Sequence, residues 1–202
     1  MSVGRWEISG GALLALALLY YLDDSGVTLW VLLAALLHEL GHCLAVSLLG
    51  GRVARLRLSL MGAELRLSGA RPLSHRSMVL ATLAGPAVNL LLALGSTGLA
   101  RRGAGERLYF FAGLNWGLCC FNLLPVGWLD GGRVLTHFLA WLGQEELGWA
   151  LTDICTKAIT LLLLLGGGAL LWQTEGRNFT LLLAGAWMAA ASSQKENPAL
   201  AI

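Results

Sequence analysis

Residues 26–50 hold an apolar run whose only charged or imidazole side chains are His38, Glu39 and His42, and no other stretch limits the fold so sharply. A helix rises about 1.5 Å per residue and a bilayer core is about 30 Å thick, so this run has membrane-spanning length. His38 stands twelve residues from Gly26 and from Gly50, roughly 18 Å in by the same rise and so near mid-membrane. Residues i and i+4 share a helix face, so His38 and His42 can present two imidazole nitrogens to one metal ion. Glu39 lies beside that face. Zinc accepts such ligands, and a carboxylate next to water activated by zinc is the general base of metal-dependent peptide hydrolysis. Three ionisable groups in one span could instead form a proton or ion pathway. Burying them costs several kcal/mol unless something compensates, and a divalent cation does so most directly.

The remaining composition agrees with a membrane setting. Of 202 residues, 56% are hydrophobic and 13% charged, and the mean hydropathy is +0.69; an ordinary soluble domain carries about 25% charged residues. The net charge is only +2 and the arginines flank apolar runs, which excludes the basic stripe of a nucleic-acid binder and suits membrane-surface anchors. Cys43, Cys119, Cys120 and Cys155 fall in or beside apolar segments without a CxxC pair, as small buried hydrophobes do. The first apolar run lacks a convincing cleavage site and is read as retained.

The chain is read as one domain, 1–202, all-α and polytopic, with about six transmembrane helices. The expected spans are Ile8–Leu22, residues 26–50, Met78–Ala100, Leu108–Leu124, Cys155–Trp172 and Phe179–Ala191. Between the second and third spans, Arg55–Leu60 and Glu64–Ser68 alternate apolar and polar about Gly62, the period of a β-hairpin, and residues 52–68 are expected to associate with the membrane. This is the one strand-like signal in the sequence. Pro86 and Asn89, in Ala84-Gly85-Pro86-Ala87-Val88-Asn89, predict a close helix contact with a polar partner. The run Val126 to Arg133 predicts a turn at depth followed by a helix over Val134–Leu142, and such a turn must be buried in protein or line a wet cavity. With six spans and both ends cytoplasmic, nine Lys and Arg fall inside and four outside, which sets the orientation.

A catalytic zinc takes three protein ligands. Asp130, His137, Asp153, Glu64 and His75 are the candidates for the third, and Asp130 is favoured because its apolar, glycine-flanked turn leaves an unpaired carboxylate most costly. The segments His38-Glu39-Leu40-Gly41-His42, Gly85-Pro86-Ala87-Val88-Asn89, and Asn122-Leu123-Leu124-Pro125 leading to Leu129-Asp130-Gly131 resemble the three signatures of the site-2 protease family, the intramembrane zinc metalloproteases of peptidase family M50. The likeness covers roughly residues 26–135 and is nearest to the bacterial sporulation branch, which processes a pro-sigma factor. It implies Zn2+ on His38, His42 and Asp130, Glu39 as base, and Asn122 positioning substrate or stabilising the oxyanion. Trp128 stands where the family often has proline, and the CBS domain common in that branch is not expected here.

The sequence therefore predicts a zinc endopeptidase cutting in or near transmembrane segments. Its expected partners are a membrane-bound protein substrate, membrane regulatory proteins and the lipid bilayer, with no nucleic acid and no nucleotide-binding domain. The expected location is the bacterial cell membrane, as a multi-pass protein whose site opens to the cytoplasm. A metal- or proton-coupled transporter should spread acidic residues over several spans, and a non-catalytic scaffold should lack Glu39. Only Glu39 and Asp130 are expected to lie deep.

Overall fold

The computed structural model describes residues 2–3, 6–8, 10–59, 62–68 and 73–193. Leu60 and Met61 at the hairpin tip, Arg5, Arg71, Lys195 and the tail beyond residue 193 lie outside the described residues. Two short strands, β1 (Ser2–Val3) and β2 (Trp6–Ile8), precede α1 (Gly10–Tyr21) and α2 (Val27–Leu48). Strands β3 (Arg52–Ser59) and β4 (Gly62–Ser68) follow. The rest is helical: α3 (His75–Arg101), α4 (Arg107–Asn122), α5 (Asp130–Trp141), α6 (Glu145–Gln173) and α7 (Thr180–Ser193).

The polar turn after α1 becomes a cap for α2. Asp23 accepts hydrogen bonds from the Ser25 hydroxyl at 2.7 Å, the Ser25 N–H at 3.0 Å and the Thr28 N–H. These donors, the Ser25 hydroxyl first, hold its carboxyl below the usual carboxylate range. They also satisfy an N–H in the first turn of α2, which begins without a side-chain cap from Gly26. At the start of α3 the Ser74 hydroxyl accepts from the Ser77 N–H at 3.2 Å.

Strands β3 and β4 pair antiparallel from Arg52↔Ser68 to Ser59↔Gly62, with a register shift between Val53 and Arg55. Strand β2 adds to β3 in parallel, with Glu7 opposite Arg57, whose partner on the other side is Glu64. The sequence signal extended only to β3 and β4. A two- or three-residue strand such as β1 or β2 carries no period of its own and exists through its long-range partner.

Three further expectations change. Among the described residues, three helices are long and apolar enough to cross a membrane: α2, α3 and α6. The other expected spans are shorter helices, α1 with 12 residues, α4 with 16 and α7 with 14; Ile8, read as the start of the first span, lies in β2. The expected span Cys155–Trp172 belongs to a longer helix that starts at Glu145, in which Asp153 and Lys157 pair at 2.7 Å on an exposed face and leave the apolar faces free. Helix α5 starts at Asp130, four residues before the expected Val134.

Helix α3 is central, packing on α2, α4 and α5, while α5 leans on α6 and α6 on α7. Small residues set the close approaches. A Cβ on Gly41 would sit 2.8 Å from Val88 Cγ2 and 2.9 Å from the Ala84 carbonyl oxygen, and one on Gly167 would lie 2.5 Å from the Leu182 nitrogen. The interior is unusually polar: Asn89 and Asn115 are 0% exposed, whereas Leu91 on α3 is 68% and Leu162 on α6 is 71% exposed. An apolar solvent is required around such a surface.

The α6–α7 contact is testable. Gly167→Val should destabilise the protein by about 1–3 kcal/mol through overpacking against Leu182. Gly168→Ala, which meets nothing within 4 Å, should leave it within about 0.5 kcal/mol of the parent. Denaturation of both variants in detergent micelles checks the contrast.

Candidate metal centre

Helix α2 places His38 and His42 one turn apart, facing α3 and the start of α5, and Asp130 opens α5 beside them. The Nε2 atoms of the two histidines are 3.1 Å apart, and Asp130 Oδ2 lies 3.1 Å from His38 Nε2 and 3.4 Å from His42 Nε2. All three side chains are buried. Among the described residues they are the one group of three or more His, Cys, Asp or Glu side chains arranged to hold a metal ion. His137, Asp153 and His75, the other described candidates for third ligand, are outside that group. The side chain of Glu64 lies outside what the structure describes.

The protonation of the cluster follows from what surrounds it. His42 Nδ1 faces the Ala81 carbonyl oxygen at 2.9 Å. That oxygen can only accept, so Nδ1 carries the proton and Nε2 keeps a lone pair. For His38 the same conclusion comes through a relay. Asn115 Nδ2 donates to the Phe111 carbonyl at 2.9 Å, which turns Asn115 Oδ1 toward Asn89. Asn89 Nδ2 donates to that oxygen at 2.8 Å, so Asn89 Oδ1 faces His38 Nδ1 as an acceptor. His38 Nε2 is therefore also a bare lone pair. Asp130 Oδ2 is buried without a hydrogen-bond donor.

Two nitrogen lone pairs and a carboxylate oxygen thus converge with nothing between them. A proton can join only two of the three, whereas a divalent cation satisfies all at once. Ligand atoms at about 2.0–2.1 Å from a tetrahedral zinc lie roughly 3.3–3.4 Å apart, close to the separations found. The residues fit a zinc ion.

The walls have been cleared for this cluster. A Cβ on Gly85 would fall onto the His42 ring and come within 2.8 Å of His38 Cε1. Ala81, Gly85 and Asn89 follow at steps of four along α3, so one helix face supplies a carbonyl, a gap and an amide. Glycines 131 and 132 are required because the loop over residues 123–129 folds back with the Leu123 and Val126 carbonyls where a Cβ would stand. That loop is itself held. Val126 and Leu129 pack with Met188, and the Gly127 N–H donates to the Thr156 hydroxyl at 2.9 Å, which in turn donates to the Thr152 carbonyl at 2.7 Å. The Thr136 hydroxyl donates to the Gly132 carbonyl at 3.0 Å and meets the Thr152 hydroxyl at 3.1 Å.

Glu39 is half-buried and within electrostatic reach of His38, His42, Asp130 and Arg133. Asn122 closes α4, half-buried, at the head of the loop that leads to Asp130. The sequence reading singled out Asn89 as a cross-helix partner but passed over Asn115, Thr152 and Thr156. Their signal was the one that marked Asn89, a polar side chain within an apolar helix.

A model for Peptidase family M50 matches residues 95–166. Rip3 of Mycobacterium tuberculosis, a candidate zinc metalloprotease by its name, is 33% identical over 131 residues, covering 61% of this chain and 33% of its own length. The similarly named sll0528 of Synechocystis is 32% identical over 158 residues, covering 71% of this chain and 39% of its own. The chain spans between a third and two fifths of these relatives. The site-2 protease of Methanocaldococcus jannaschii superposes with a TM-score of 0.69 at 19% identity, over 98% of this chain and 94% of that one.

Asn89→Ala should free the His38 ring and lower zinc affinity about 10–100-fold, the usual cost of losing an outer partner. Competition with a chelator measures it, and Asn115→Ala should move affinity the same way by less. A Peptidase family M50 model over residues 95–166, two proteins named as zinc metalloproteases and a site-2 protease of the same fold are thus what this chain is similar to.

Proposed function

We propose that the chain is an intramembrane zinc endopeptidase that cuts membrane-bound protein substrates. One observation carries the reading: two imidazole lone pairs and an undonated carboxylate oxygen converge at His38, His42 and Asp130 inside a helix bundle with an apolar exterior, beside Glu39. Zinc held by these three residues would supply Lewis acidity, polarising the scissile carbonyl and acidifying water.

The chain's own groups do the rest. Glu39 accepts the proton of the attacking water and returns it to the leaving amine. The Asn115–Asn89 relay and the Ala81 carbonyl keep both imidazoles in the tautomer that ligates. Loop 123–129, clamped by Thr156, fixes Asp130 and sets Asn122 where it can meet the developing oxyanion. In the same reading α1, α4 and α7 complete a six-span bundle with both ends in the cytoplasm of a bacterial cell, and the site opens to that side. A pro-sigma factor is the narrower substrate suggested by the sequence signatures. A transporter fits less well, because the buried ionisable side chains among the described residues form one cluster and not a path.

A helical substrate must be locally extended before it can be cut, and its freed N–H and C=O groups then need partners. A strand edge supplies them. The sheet runs β1-β2-β3-β4, so its edges among the described residues are the two-residue β1 and the seven-residue β4, and we assign the substrate to the longer edge, β4. Proline removes a ladder donor. Alternate N–H groups of an edge strand face outward and the rest bond its neighbour, so of single prolines at Leu65 or Leu67 and at Glu64 or Arg66, one set removes outward donors and the other removes donors to β3. One set should reduce cleavage of a transmembrane substrate about tenfold or more with zinc content unchanged. Full activity in both sets would reduce the hairpin to an anchor.

The central test separates base from ligand. Glu39→Gln should retain one zinc per chain and lose about 10²–10⁴-fold in cleavage rate, whereas Asp130→Asn should lose zinc and activity together. Reconstituted protein and a single-span substrate suffice. Cleavage by Glu39→Gln at the parent rate would defeat the proposal.

A further inference from the structure

A second pair of imidazoles stands apart from the buried centre. His75 is the first residue of α3, and His137 lies two turns into α5, 62 residues on in sequence. Their Nδ1 atoms are 3.3 Å apart, with ring centroids at 5.6 Å and planes tilted by 39°. His75 is exposed and His137 half-buried, so bulk solvent reaches the pair. Neither takes part in the relay or the triad.

We propose that His75 and His137 form a second, weaker site for a divalent transition metal, completed by water. Two nitrogens on a tetrahedral zinc are roughly 3.3–3.4 Å apart at bond lengths of about 2.0–2.1 Å. The Nδ1 separation already matches that bite. An N–H···N hydrogen bond between neutral rings is the competing account, but it would be long, and water replaces it readily at an exposed position. The nearby charges leave room for a cation: the Arg76 guanidinium lies over the Trp141 ring, 5.9 Å from its centroid, and Arg133 and Glu145, of opposite sign, are the other charges felt by His137. Imidazole ligands select zinc, nickel and copper over magnesium or calcium.

Such an ion would link two elements that build the buried centre. Helix α3 carries Ala81, Gly85 and Asn89, and α5 begins with Asp130. The ion would clasp the first turn of α3, directly after the β3–β4 hairpin, to the helix bearing the third ligand. Metal at the surface would thereby stiffen the frame around the metal inside. The inference goes beyond the protease reading and holds whether or not the chain cleaves peptides.

The test is a zinc titration of the full chain in detergent micelles, followed by calorimetry. The parent protein should take up two equivalents, the second with a dissociation constant roughly tenfold or more weaker, since two protein ligands replace three. His75→Ala and His137→Ala should each remove only the second, and His38→Ala only the first. Hydrogen exchange supplies an independent readout: the second equivalent should slow amide exchange over residues 76–80 in the parent and not in His137→Ala. A parent that binds one equivalent, a second equivalent that survives in His137→Ala as adventitious binding elsewhere, or exchange that zinc does not alter would each overturn the site.

Discussion

The Phe111 carbonyl cannot donate a hydrogen bond, and the chemistry of His38 follows from that. An amide side chain can be turned either way around, and an imidazole can carry its proton on either nitrogen, so a chain of three such groups is ambiguous until one end is fixed. The backbone oxygen fixes it. Asn115 must donate to Phe111, Asn89 must donate to Asn115, and His38 must donate to Asn89. The lone pair that remains on His38 points at Asp130 and His42. A residue on α4 thus sets the tautomer of His38 on α2 through a third helix, α3, and each link is buried where water cannot scramble it.

The same logic explains why the bundle is polar within and apolar without. In hydrocarbon no solvent repairs a broken backbone hydrogen bond, so every irregular segment must find its partners in protein. The loop before Asp130 does this with its own short bonds, Val126 N–H to the Leu124 carbonyl at 2.7 Å and Leu129 N–H to the Val126 carbonyl at 2.8 Å, and with the Thr156 hydroxyl. Threonines 152, 156 and 160 recur at steps of four along α6 and are all buried. Thr152 and Thr156 give that helix a polar side toward α5 and the loop before it, while leucines cover its outer side. A carboxylate can then be delivered to the middle of the bundle on a loop that is not free to move.

How much of this was legible in the sequence depended on whether a signal was local. The spacing of His38 and His42 is a property of one helix, so the facing pair of imidazoles could be read directly. Asp130 was found by a cost argument, since a carboxylate among glycines and large apolar residues has few alternatives to a cation. The alternation in 55–60 and 64–68 is also local, and strands occupy residues 55–59 and 64–68. By contrast β2 exists only because β3 lies beside it, and three residues show no period. Asn115 was passed over for a related reason. Its role rests on the rotation of α4 about its own axis, which brings it to Asn89 rather than to lipid, and a weakly amphipathic apolar helix does not reveal that rotation. Span counting is open in another way: apolar runs of 13–17 residues read as spans, and the helices they form are shorter than a bilayer core, so length alone supports three spans among the described residues.

Gly85 shows how the two kinds of information meet. In sequence it is a small residue next to a proline, which argues only for close helix approach. In the structure the approach is between an α carbon and the two imidazole rings of the cluster, and the space a methyl group would occupy is taken by His42. Pro86, the next residue, lacks the N–H that would close the helical turn, so α3 gives up backbone bonding at the same level where it receives the imidazoles. One turn earlier the Ala81 carbonyl accepts from His42, and one turn later Asn89 accepts from His38. The glycine is therefore as much part of the cluster as the histidines, since any larger residue there would displace the rings that the carbonyl and the amide have oriented.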